Sequence, residues 1–183
     1  MVVTVNPLPT ANAGLDKTIC LGDEVMIIGE GGVSYNWSTG ATNDTINVSP
    51  IETTTYSLTV TTNGCTDTDA MVVTVNPLPT ANAGVDKTIC LGDEVMIIGA
   101  GGVSYNWSTG ATNDTINVSP IETTTYSLTV TTNGCTDTDA MVVTVNPLPT
   151  ANAGVDKTIC LGDEVMIIGE GGVSYNWSTG ATN

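Results

Sequence analysis

The sequence predicts an all-β chain built from a row of small sandwich domains, and three observations predict it. The segment Met1 to Ala70 recurs at Met71 to Ala140 with two changes, Val85 for Leu15 and Ala100 for Glu30, and begins a third time at Met141. Within each copy, short runs rich in Thr, Val and Ile are separated by turn signals every 8 to 12 residues or so, the spacing of a sandwich. No stretch carries apolar residues at helical intervals. A period of about 70 residues exceeds that of stacked-hairpin solenoids and fits a unit that buries its own core.

The first full copy reads as strands near Asp16–Cys20, Glu24–Gly29, Val33–Ser38, Thr45–Val48, Thr54–Thr61 and Thr66–Val75. Turns fall at Leu21-Gly22-Asp23, Gly31-Gly32, Thr39-Gly40-Ala41, Ser49-Pro50 and Asn63-Gly64. Alternation is clearest in Tyr56, Leu58 and Val60, which should face inward while Ser57, Thr59 and Thr61 face water. Asn63-Gly64 suits a two-residue hairpin, in which both central residues need positive φ. That register puts Asp67 opposite Val60 and Asp69 opposite Leu58 on the buried face. The expectation is therefore a β-bulge or wider loop between Thr66 and Ala70, which turns both carboxylates outward and brings Ala70 and Val72 inward. Trp37, Tyr56 and their counterparts Trp107, Tyr126 and Trp177 are expected in the core.

Pro7 and Pro9, Pro77 and Pro79, and Pro147 and Pro149 mark stiff, extended linkers. The domain boundaries follow: residues 1–6 as the last strand of a preceding repeat, repeats at 7–76 and 77–146, and 147–183 as the first half of a further repeat, cut short. A unit of this size lies near the lower limit for independent stability, so reinforcement is expected. Each full copy holds one cysteine pair, which predicts the disulfides Cys20–Cys65 and Cys90–Cys135, with the partner of Cys160 outside the chain. A bridge between neighbours such as Cys65 to Cys90 is the competing arrangement. Zinc is disfavoured because the chain has no His and a site needs about four ligands. Disulfides imply an oxidising compartment, the periplasm or the cell exterior.

With 3 Lys, no Arg and 19 acidic residues, the formal net charge is −16. Nucleic acid is excluded as a partner, since phosphate contacts need Lys and Arg. No apolar run approaches the roughly 18 residues needed to span a bilayer. Catalysis has neither His nor Arg to use, and no serine has a visible base, so the chain is not read as an enzyme and needs no cofactor. Calcium is the one cation the composition suits, through Asp16, Asp23, Glu24, Asp67 and Asp69. A solvated acidic surface that keeps identical domains apart is the stronger reading.

The succession NPLPTANAG, DKTICLGDEV, a Gly-Gly turn, YNWSTGAT, TINVSP, TTTYSLTVTTNGC and MVVTVNPLP resembles the PKD-like and immunoglobulin-like tandem repeats of very large Bacteroidota surface proteins. These include gliding-motility and adhesin filaments exported by the type IX secretion system. The resemblance departs from PKD domains where Trp37 is followed by Ser38-Thr39-Gly40 instead of an acidic turn. It implies a cell-surface structural stalk or filament whose partners are identical neighbouring repeats or chains, with surface polysaccharide or protein at a tip outside this segment. It also implies O-glycosylation at Thr45 and Thr115, in the triplets Asp44-Thr45-Ile46 and Asp114-Thr115-Ile116. Two other readings stand beside it. One is a carbohydrate- or protein-binding repeat using Tyr35, Trp37 and the Gly40 turn as a platform; the other is a subunit that assembles laterally into a sheath or fibre.

Overall fold

A computed structural model describes residues 1–182. Among them are twelve strands and no helix. The first repeat holds β1 Lys17–Cys20, β2 Val25–Ile28, β3 Ser34–Trp37, β4 Thr45–Val48, β5 Thr54–Thr62 and β6 Cys65–Asn76. The second repeats them as β7 Lys87–Cys90, β8 Val95–Ile98, β9 Ser104–Trp107, β10 Thr115–Val118, β11 Thr124–Thr132 and β12 Cys135–Asn146. Every strand lies within a residue or two of its expected place, because Gly, Pro and Asn end each run where the backbone must turn.

In each repeat one sheet has the order β1-β6-β5-β3 and the other pairs β2 with β4, and the second repeat copies this with β7-β12-β11-β9 and β10-β8. All pairs are antiparallel except β1 on β6 and β7 on β12, which are parallel. Short of β1, Asn12 forms an antiparallel bridge with Glu30, just past the end of β2. The N-terminal segment thus begins on one sheet and ends on the other. This split first strand, with a four-stranded sheet packed on a smaller one, is an immunoglobulin-like sandwich.

The inner faces supply one core per repeat. In the first, Ala13, Ile27, Trp37, Val48, Tyr56, Leu58, Val60, Met71 and Val73 are buried together, and their counterparts fill the second. Tyr56, Leu58 and Val60 alternate inward as expected, each apolar side chain contributing roughly 1.5–3 kcal/mol on burial. The Trp37 indole Nε1 donates to the Asn43 carbonyl at 3.0 Å, so its one polar atom is satisfied inside. Lys17 ties β1 to the opposite sheet by donating from Nζ to the Met26 carbonyl at 2.6 Å. Both positions that differ between the copies are exposed in both, which explains their tolerance.

Three expectations need correction. The hairpin turns tightly, with positive φ at Asn63 (50°) and Gly64 (82°), and β5 pairs with β6 in one unbroken register from Thr54↔Val73 to Thr62↔Cys65. There is no bulge: Asp67 faces Val60, Asp69 faces Leu58, and Met71 and Val73 point inward in place of Ala70 and Val72. Trp177 is only half buried, whereas Trp37 and Trp107 are 2% exposed. Residues 147–182 form isolated bridges and no strand, since the counterparts of β5 and β6, on which β3 and β1 pair, are not in the chain. For the same reason residues 1–6, counterparts of the second half of β6, pair with nothing as a strand.

Glycines between β2 and β3 are dictated by contact. A Cβ on Gly29 would lie 2.5 Å from Leu58 Cδ2 and 2.9 Å from Trp37 Cζ2, and one on Gly31, at φ +99°, would lie 1.7 Å from the Thr10 carbonyl oxygen. Gly29→Ala is therefore expected to destabilise the first repeat by about 1–3 kcal/mol through overpacking. Leu15→Ala, at an exposed position, should stay within about 0.5 kcal/mol of the parent. Urea unfolding of the two variants checks this, and equal midpoints would refute the packing argument.

Candidate functional site

Two constellations concentrate the polar chemistry of each repeat, and both arise from the crossing of the N-terminal segment between sheets. Along Ala11–Ala13 the backbone is bonded on both sides. Asn12 exchanges N–H···O bonds with Glu30 at 3.1 and 2.9 Å, while Ala11 N and Ala13 N point the other way. These two amides donate to Asp67 Oδ2 and Asp69 Oδ2, each at 2.8 Å. Alternate amides in an extended segment share a side, as do alternate side chains in a strand, so the two spacings match. Asp16 continues the pattern, its Oδ1 accepting from Val72 N at 2.8 Å. Carboxylates that a sequence reading turns outward thus remain on the inner face, half buried, as the stitches that join the sheets. The amides of Ala13 and Ala70 hold the Asp69 carboxyl below the ordinary carboxylate range, and those of Ala83 and Ala140 do the same for Asp139.

The second constellation is the junction between repeats. Parallel pairing of β1 puts Cys20 beside Asn76, at the end of β6. Cys65 begins that same strand of 12 residues, so the two cysteines lie at opposite ends, roughly 35 Å apart at the rise of an extended chain. A disulfide requires Cα atoms within about 7 Å. The expected Cys20–Cys65 and Cys90–Cys135 pairings are therefore overturned: Cys20 bonds Cys135 of the next repeat, with Cα atoms 5.6 Å apart and a sequence separation of 115. Cys65, Cys90 and Cys160 are free thiols in this chain.

Further contacts frame the bond. The Asn76 side chain donates from Nδ2 to the Asn133 carbonyl at 2.9 Å, and the Asn76 carbonyl accepts from Leu21 N at 2.8 Å. Asp23 Oδ2 accepts from Cys20 N at 3.1 Å and fixes the turn that presents the sulfur. Cys135 is 1% exposed and opens β12, just past the turn of the β11–β12 hairpin, whose tip abuts Asn76. A shallow groove lined by Thr18, Cys20, Glu24, Asn76 and Asn133 runs beside it.

The remaining candidates are dispersed. Asp16, Asp67 and Asp69 bond backbone amides, Asp23 caps a turn, and Glu24 accepts from Asn47 Nδ2 at 2.7 Å, so the five carboxylates considered for calcium serve separate partners. Thr45 and Thr115 open β4 and β10, each half buried on a strand whose single neighbour leaves one edge free. Tyr35 and Trp37 share a face, but Trp37 is buried and Tyr35 donates its hydroxyl to the Gly32 carbonyl at 3.0 Å; they form no exposed platform. No helix among the described residues is long and apolar enough to cross a membrane.

No protein-family model matches the chain, and no curated protein matches its sequence. Solved structures of tandem domains are similar. An I-band fragment of titin aligns at 8% identity over 79% of this chain and 68% of that one, with a TM-score of 0.46. Extracellular domains 3–5 of Drosophila OTK align at 12% identity over 77% and 61%, with a TM-score of 0.45. Sidekick-1 immunoglobulin domains 1–5 align at 11% identity over 77% and 40%, with a TM-score of 0.37. The immunoglobulin-like assignment rests on strand order and register rather than on these likenesses.

The carboxylate stitches give the fold a defined response to acid. A group whose folded pKa is depressed adds stability above its unfolded pKa, and that stability is lost as pH falls through the folded value. Replacing Asp69 and Asp139 together by Ala should lower the melting temperature at pH 7, and the gap to the parent should close as pH falls below about 4. Melting followed by circular dichroism from neutral to acid pH checks this. A gap that persists unchanged in strong acid would show that the carboxylates do not act through their charge.

Proposed function

We propose that this chain is a segment of an extracellular structural array, in which immunoglobulin-like units at 7–76 and 77–146 are joined into a stiff row that holds something away from a cell surface. The observation that carries the reading is the junction. Two covalent connections, the peptide chain through Asn76-Pro77 and the Cys20–Cys135 bond, join neighbouring repeats, with the Asn76–Asn133 hydrogen bond between them. A single flexible tether leaves domains free to swing, whereas two attachments remove most of that freedom. The disulfide also favours an oxidising exterior over the cytosol. Near-identity between repeats suits a spacer, whose merit is length, better than a catalyst.

The resemblance of YNWSTGAT and TTTYSLTVTTNGC extends the proposal to a Bacteroidota surface filament of the adhesin or gliding type, secreted by the type IX route, with glycans on Thr45 and Thr115 and a distal tip that engages polysaccharide or protein. Antibody raised against the repeat should decorate filaments on intact, unpermeabilised cells, and label confined to the cell interior would overturn the reading. In solution, small-angle X-ray scattering of the oxidised chain should fit one fixed arrangement of the two repeats, and reduction should convert it to a broad ensemble. Identical ensembles before and after reduction would remove the junction from the argument.

A further inference from the structure

We infer that the Cys20–Cys135 bond is one rung of a periodic staple that carries tension past the folded cores, so that the array is close to inextensible; this deepens the structural reading above. A pull on the two ends of this chain follows the shortest covalent route. That route enters through residues 1–20, crosses the disulfide and leaves from Cys135, so β2 to β11 lie off it. A separation of 115 residues is spanned by one sulfur–sulfur bond, and most of both cores hang from the route without bearing load. Staples inside each domain act differently, since every domain then remains in series with the force.

The same site recurs along the chain. Cys65 Sγ lies 3.9 Å from the Asn6 carbonyl oxygen, as Cys135 Sγ lies 4.0 Å from that of Asn76. The Asn6 side chain donates to the Asn63 carbonyl at 3.1 Å, as Asn76 does to Asn133 at 2.9 Å. At the other end, Cys90 stands beside Asn146 in the register that sets Cys20 beside Asn76. Cys65 therefore awaits a β1-type cysteine from a preceding repeat, and Cys90 a hairpin cysteine from a following one.

From Cys135 the chain needs only about 25 residues to reach Cys160, where the next such bond starts, so the covalent route advances two repeats for roughly 85 Å of fully extended backbone. Nearly half of that stretch is β12, extended in the folded state already. Little slack remains for tension to draw out. Each rung forms by thiol–disulfide exchange, in which two cysteine thiols lose their protons and pass two electrons to an acceptor disulfide, which leaves as two thiols.

The test is single-molecule stretching of the intact oxidised chain, tethered at both ends, after alkylation of whichever thiols oxidation leaves free. At roughly 3.5 Å per residue the oxidised chain should extend to about 240 Å and no further, and reduction should release about 400 Å more. The oxidised Cys20→Ser chain should behave as the reduced parent. A limit near 330 Å would indicate staples within each domain, and extension to about 640 Å before reduction would show that no disulfide shortens the route; either result overturns the inference. Failure here leaves the surface location and the fixed arrangement in solution to their own measurements.

Discussion

The parallel pairing of β1 with the last four residues of β6 is the constraint on which the rest of the molecule depends. It follows from geometry at the start of the domain. The first strand belongs to two sheets: Asn12 bonds Glu30 beside β2, and Lys17–Cys20 bonds Val73–Asn76. Between them the chain must cross the open side of the sandwich, where neither sheet ladder can satisfy its amides. Asp67 and Asp69 supply acceptors to Ala11 N and Ala13 N, and Asp16, within the crossing, accepts from Val72 N of β6. Without those acceptors the crossing leaves polar backbone beside an apolar core, a cost that a unit of about 70 residues bears poorly.

That crossing also sets the ends of the domain. Because β1 runs with β6, Cys20 emerges at the same end as Asn76, where the chain passes into the next repeat, and Cys65 emerges at the opposite end. Each repeat consequently carries one thiol at each pole. A bond within the domain is ruled out by the length of β6, and the pole of one repeat meets the complementary pole of the next. The disulfide is therefore a property of the array. On the chain-entropy model a loop of this size stabilises the folded state by roughly 4–5 kcal/mol, and because it encloses most of two cores, that stabilisation is shared between neighbours.

In the proposed array, stiffness at the junction and protection of the cores from load both trace to the same bond. Pro77 and Pro79 restrict the linker, Asn76 reaches across to the hairpin of the next domain, and the sulfur bridge closes the ring. The outer face of β5 and β6 is left to short hydroxyls such as Thr59 and Thr68, which bond each other at 3.1 Å, and the acidic surface repels copies of itself.

Much of the strand map was legible because its causes are local. Turn residues end each run, Asn63-Gly64 demands a tight hairpin, and the alternation of Tyr56, Leu58 and Val60 names an inner face. The cores around Trp37 and Trp107 follow from the same pattern, and the fate of Trp177 follows from which strands the chain contains. What the residues could not disclose was the partner of each outlying group. On hydrophobicity alone Asp67 and Asp69 look misplaced, until Ala11 and Ala13 are seen to bring amides to them. Two cysteines per repeat look like one internal bridge until the direction of β1 is known. By itself the sequence determined the repeat, the sandwich and the presence of paired thiols, since these rest on composition and short-range stereochemistry. Only the tertiary structure decided that the thiols join neighbours, because strand direction in a parallel pair is set by contacts between residues some fifty or more positions apart.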